Sequence, residues 1–209
     1  MSAPRLFVIV GLGNYTHPST RHSVGQILLS SLAYKASQEH LSTGSPTLLL
    51  NAKKAAWTSQ ITLPAPPQST SDVPLKLLFV KPRALMNVSG PSVVSSIQSF
   101  LPQPYSTYRI LTLQDDLDLP ASAIKIQRGG SPRGHNGVRS LERSLGTRDF
   151  WRIRIGIGRP ENKADVARWV LSALGRDEVR AVECEDGWEG GAASRAWAEV
   201  LKIAWAEAE

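Results

Sequence analysis

The chain has 209 residues, 42% of them hydrophobic and 20% charged, with a formal net charge of +6 at pH 7; that describes a globular chain long enough for one domain with a substantial core. No stretch reaches the ~18 apolar residues of a membrane span, and the single cysteine, Cys184, excludes an internal disulfide and any site built from several thiolates. Its neighbours Glu183, Glu185 and Asp186 disfavour a thiolate, which argues against a catalytic cysteine, and a lone cysteine suits a reducing, intracellular compartment.

Residues 7–10, Phe-Val-Ile-Val, predict a buried strand that stops at the turn Gly11-Leu-Gly13-Asn14. The start leads straight into that strand, so no signal peptide or presequence is expected. A helix is predicted over residues 21–40, with Val24, Ile27, Leu28, Leu32 and Tyr34 inward. Strands follow at 48–50 and 55–63, and the four prolines between 64 and 74 mark a surface loop. Residues 75–80 read as a buried strand stopped by Lys81-Pro82. A helix over 90–101 tolerates Pro91 in its first turn and turns Val93, Val94, Ile97 and Leu101 inward. The strand at 109–113 ends on Gln114-Asp115-Asp116, and another covers 123–127. A short helix over 136–145 precedes a strand at 150–157, where Ile153, Ile155 and Ile157 alternate with Arg152 and Arg154. Helices are predicted at 163–173, 176–185 and 191–206.

Strands alternating with helices predict a single α/β domain over residues 1–209: a twisted mixed, mostly parallel β-sheet flanked by helices. In such sheets chemistry gathers at the carboxyl ends of strands. Asn14, residues 81–87 and residues 115–118 each follow a predicted strand.

Charge is unevenly placed. Residues 125–159 carry nine bases and two acids, and residues 177–209 carry nine acids and three bases. The bases surround a glycine-rich loop, a pattern that suits a polyanion partner.

Other chemistries fit poorly. Gly11-Leu-Gly13 lacks the third glycine and the distal acid of a dinucleotide fingerprint, and no phosphate-binding Gly-Lys-Ser/Thr element exists. The four histidines, His17, His22, His40 and His135, form no zinc-binding helix pair. Asp115, Asp116 and Asp118 lack the glycine and distal glutamate of a calcium loop. No Gly-x-Ser-x-Gly elbow is present. A metal-free and cofactor-free site of a histidine, a carboxylate and several amides remains.

Four segments together resemble the peptidyl-tRNA hydrolase family of the bacterial type: Val8-Ile-Val-Gly-Leu-Gly-Asn14 with Thr20-Arg-His22-Ser-Val-Gly25; Lys81-Pro-Arg-Ala-Leu-Met-Asn87-Val-Ser-Gly90; Asp115-Asp-Leu-Asp-Leu-Pro120 with Gly129-Gly-Ser-Pro-Arg-Gly-His135-Asn136-Gly137; and Phe150-Trp-Arg-Ile-Arg154-Ile-Gly-Ile-Gly-Arg-Pro160. The resemblance implies a metal-independent esterase acting on peptidyl-tRNA as a monomer. By position, His22 matches the catalytic histidine, Asp115 its carboxylate partner, and Asn14 an amide that holds water or substrate. Met86, Asn87, His135 and Asn136 match the substrate-binding wall, and Lys125 and Arg154 match basic residues associated with tRNA.

Such chemistry asks for these residue types. A histidine is the general base suited to activating water near pH 7, a carboxylate fixes its tautomer, and amides stabilise an oxyanion without titrating. Asp118 competes with Asp115 for the carboxylate role, and Asn87 is also placed to cap the next helix.

The chain departs from the family pattern in a short 14–22 turn, in Ser23 after the histidine, and in Gln127 where a base is usual. Arg128 and Arg133 are expected to compensate as tRNA contacts. These departures and the proline-rich loop point to a eukaryotic member, cytoplasmic or mitochondrial. The rivals are a non-catalytic RNA-binding protein on the same scaffold and an esterase for small acyl compounds.

Overall fold

In β1 (Arg5–Gly11), Phe7 and Ile9 enter one core and Leu6, Val8 and Val10 another. That period-two alternation marks a strand covered on both faces. The computed structural model describes residues 5–39, 48–65, 73–100, 109–183 and 191–206. A single 3-10 turn at Arg21–Ser23 leads into α1 (Val24–Glu39). Then come β2 (Leu49–Asn51), β3 (Ala56–Leu63) and β4 (Leu75–Pro82). The 3-10 turn Met86–Val88 opens α2 (Ser89–Gln98). β5 (Ile110–Asp116), β6 (Ile124–Arg128), α3 (Asn136–Leu145) and β7 (Trp151–Gly156) follow, then α4 (Val166–Val170), α5 (Arg176–Val182) and α6 (Ala192–Ala206).

The seven strands form one mixed sheet in the order β2-β3-β4-β1-β5-β7-β6. β4, β1, β5 and β7 are parallel neighbours, and only β3 and β6 run against the common direction. Residues of α1, α5 and α6 share the core of Phe7 and Ile9, whereas α2 and α3 cover the opposite face with Val93, Ile97, Val138 and Leu141. The α/β expectation holds. Among the described residues no helix is long and apolar enough to cross a membrane.

Two features of this topology make the site. The chain leaves β1 toward the β4 edge and leaves β5 toward the β7 edge, so the carboxyl ends of β1 and β5 meet where strand order reverses, the usual crevice of such sheets. The glycines there serve packing rather than nucleotide binding. A Cβ on Gly25 would collide with the carbonyls of Leu12 and Leu113, and one on Gly13 with the Gln26 side chain. Only a bare backbone lets α1 start this close to both strand ends, carrying His22 with it.

Several predicted elements shift. β5 continues through Asp116, so its carboxylates stand on the strand itself. Tyr34 is 52% exposed, and Leu29 takes the buried place on α1. The helix expected over 163–173 is a 3-10 turn at Lys163–Asp165 followed by the short α4. Leu101, Cys184 and residues 66–72 of the proline-rich loop lie outside the described residues.

Candidate active site

Asp115 is the centre. It stands at the end of β5, 4% exposed, and its Oδ1 accepts from His22 Nδ1 and from His135 Nε2, each at 2.9 Å. The two rings lie 5.2 Å apart. Burial opposes ionisation of Asp115, but His135 and then His22 outweigh it and hold the carboxyl well below its usual range. Burial likewise opposes a charge on His22, yet the Asp115 charge and hydrogen bond prevail and its pKa is raised.

The hydrogen bonds also assign the protons. His135 precedes α3, and its Nδ1 accepts the Val138 N–H at 3.3 Å. Nδ1 is therefore the acceptor, and the neutral ring donates from Nε2 to Asp115. His22 spends its Nδ1–H on the same oxygen, so its Nε2 keeps a lone pair with no partner among the described residues. The ligand atoms of His22, Asp115 and His135 lie within 4.8 Å of one another, close enough for a metal triad. Ligation through His135 Nε2 would put the ring's proton on Nδ1, against the Val138 N–H, so the local bonding favours a hydrogen-bond relay over a metal centre.

A cleft of about 780 Å³ opens over these rings and is lined by Asn14, His22, Met86, Asn87, Asp115, His135 and Asn136. Every residue expected in the catalytic set and the substrate wall thus meets in one place. Asn14 follows β1; its Oδ1 accepts from Thr16 Oγ1 at 2.8 Å, which leaves its NH₂ to donate. Met86 is buried, with its sulfur packed where a side chain on Gly137 would stand. Asn87 and Asn136 are exposed, and no side-chain cap bond secures the turn or helix beginning near Asn87. Asn87 is therefore free for the cleft. Asp118 is settled as a rim residue, bonded to Arg159 at 2.6 Å and Arg133 at 3.5 Å.

The basic residues divide. Lys125, Arg128 and Arg133 are exposed, Arg128 being paired with Asp149 at 2.8 Å. Arg154 is not an exposed contact. It is 2% exposed, its Nε donates to Asp116 at 2.5 Å and its NH1 to Gln127 at 3.1 Å. The expectation that it meets tRNA phosphates at the surface is corrected: the polar face of β7 is covered by the glycine-rich loop. Arg152, 1% exposed, holds that loop, donating to the carbonyls of Gly129, Gly130 and Ser131 at 3.0–3.3 Å and to Gln114 at 3.0 Å.

Sequence reasoning missed this internal scaffold. Gln114 and Asp116 flank Asp115 and fasten β5 to β7 through two buried guanidinium groups. The period-two pattern showed the arginines sharing a face, but covering by a loop leaves no local signal. Ser23, noted as a departure, ties the short turn: its Oγ accepts the Asn14 N–H at 3.0 Å and donates to the His17 carbonyl at 2.8 Å. The far wall of the cleft, Val166, Ala167, Val170 and Leu171, was also unassigned.

A buried carboxylate bonded to two imidazoles thus stands at the switch point of an α/β sheet, in a cleft that three asparagines also line. The family model described as peptidyl-tRNA hydrolase matches residues 8–199. Peptidyl-tRNA hydrolase of Solidesulfovibrio magneticus is 36% identical over 177 residues, covering 84% of this chain and 79% of that protein. That of Wolinella succinogenes is 35% identical over 180 residues, covering 85% and 80%. The crystal structure of peptidyl-tRNA hydrolase from Acinetobacter baumannii matches with a TM-score of 0.71 at 25% identity, over 100% of this chain and 93% of that one. The chain belongs to the peptidyl-tRNA hydrolase family.

Proposed function

We propose that this protein hydrolyses the ester joining peptide to tRNA in peptidyl-tRNA, releasing free tRNA and peptide, with its own side chains as the only catalysts. His22 Nε2 takes a proton from a water, whose oxygen attacks the ester carbonyl carbon. The tetrahedral intermediate then collapses: the carbon–oxygen bond to the ribose breaks, and the imidazolium returns its proton to the ribose oxygen. Asp115 keeps Nε2 as the basic nitrogen and stabilises the imidazolium. Amides from Asn14, Asn87 and Asn136 hold water, peptide and developing oxyanion; an oxyanion donor is worth about 2.7–4 kcal/mol. The exposed Lys125, Arg128 and Arg133 suit tRNA phosphates, so binding should weaken steeply with salt. One chain supplies every group, so a monomer suffices.

The observation that carries this reading is the 2.9 Å bond from His22 Nδ1 to a buried Asp115, which leaves Nε2 unpartnered in an amide-lined cleft. The test is to incubate the protein with an N-acetylated aminoacyl-tRNA and follow release of free tRNA, with and without EDTA. Release that is indifferent to the chelator is expected. Binding without release would instead favour the RNA-binding reading, and loss of activity with EDTA would refute the metal-independent mechanism.

A further inference from the structure

Arg21, the residue before His22, is placed by neither the mechanism nor the core, yet both terminal nitrogens of its side chain are engaged beside the cleft. It is 12% exposed, and its NH2 pairs with Glu178 at 2.6 Å. NH1 donates to Ser172 Oγ at 2.8 Å and to the Ala173 carbonyl. The guanidinium carbon lies 4.1 Å from the centroid of the Trp169 ring. Backbone bonds reinforce the contact: Arg21 N–H to the Ser172 carbonyl at 3.0 Å, Leu174 N–H to the Ser19 carbonyl at 3.2 Å, and a bridge between Thr20 and Ala173.

These partners all belong to α4, to α5 or to the link between them. No residue of α4 is fully buried; its apolar anchorage is the partly buried Trp169 and Val170, packed at the edge of the core. The helix carries Val166, Ala167 and Val170 into the cleft and sends Trp169 the other way. There the indole N–H donates to the Ile157 and Gly158 carbonyls at 3.2 and 3.0 Å, and the ring lies against Arg21. The cleft's far wall is thus pinned to the turn that carries the catalytic base.

We propose that Arg21 is a positioning residue that sets the far wall of the cleft at its working distance from His22, and so governs substrate binding rather than the chemical step. A planar fork that stacks on one face while bonding at its edge is what arginine supplies and lysine does not. The proposal rests on the hydrolase reading above. It does not require Arg21 to touch substrate.

The experiment compares Arg21→Lys and Arg21→Met with the unaltered full chain on an N-acetylated aminoacyl-tRNA, reading KM, kcat and Tm separately. The proposal expects KM to rise about tenfold or more with Arg21→Met, and nearly as much with Arg21→Lys, while kcat stays within about twofold. Trp169→Phe keeps an aromatic face for Arg21, loses the indole N–H bonds, and should raise KM by a smaller factor. A purely structural role would lower apparent kcat with the folded fraction and leave KM unchanged, and that result overturns the proposal. So does a fall in kcat at constant KM in a fully folded variant, or full restoration by lysine. Failure of the underlying hydrolase reading is distinguishable, because the unaltered chain would then release no tRNA.

Discussion

The two banks of the cleft are built by opposite means. On the near bank, Asp115 sits 4% exposed between two imidazoles, with buried Arg152 and Arg154 behind it satisfying loop carbonyls, Gln114 and Asp116. On the far bank, α4 has five residues, none fully buried, and is held by the edge packing of Trp169 and Val170 on the core, by Arg21 and by a short run of backbone bonds. Asp115 and its two imidazoles are fixed by buried hydrogen bonds, the preorganisation that the proposed reaction calls for. The α4 side rests on fewer polar bonds and on partly buried apolar contacts.

Substitutions can break that contrast. His22→Ala should cost turnover about 10²–10⁴-fold, the usual worth of a general base, while tRNA affinity in a filter-binding assay stays nearly unchanged; parallel loss of both would make the histidine structural. Arg154→Met strips the partner from a buried carboxylate, Asp116, and should cost about 3–5 kcal/mol of stability by denaturant unfolding. A change within experimental error would show that the inner scaffold is not under load. Val170→Ala on the far bank should cost less than about 1 kcal/mol of stability and appear mainly in KM. Lys125→Ala should leave kcat alone and reduce the salt slope of tRNA binding by about 1; an unaltered slope would remove Lys125 from the interface.

Acidity acts on the near bank in two opposite directions. Asp115 has its folded pKa lowered from 3.8, so its stabilisation is complete above that value and disappears as pH falls below it. His22 has its folded pKa raised from 6.5, so its stabilisation is complete below that value and disappears as pH rises through the folded pKa. Replacing Asp115 should flatten both dependences in unfolding measured against pH.

The near bank was legible in sequence to the extent that its groups are local. Asn14, Met86, Asn87 and the pair His135-Asn136 each sit at a strand end or helix start, where turn residues and hydrophobic runs mark the boundary. His22 and Asp115 are 93 residues apart; family resemblance paired them, since no spacing rule could. The fate of Arg154 was misread because alternation along β7 reports the face of a strand but not what covers it. The far bank was read only as a helix over 163–173. That it lines the cleft could not be read, because its anchor is a contact between residues 21 and 169.

The proposed reaction depends most on His22 acting as a base held by Asp115, and the pH dependence of single-turnover tRNA release probes that pair directly. The native protein should lose activity on the acid side with an apparent pKa above 6.5, the ordinary histidine value. In Asp115→Asn the rate should drop by about 10²-fold or more, and the acid limb should move to lower pH, because the charge that raises the His22 pKa is gone. A profile with no acid limb, or one that Asp115→Asn leaves in place at full rate, would contradict it.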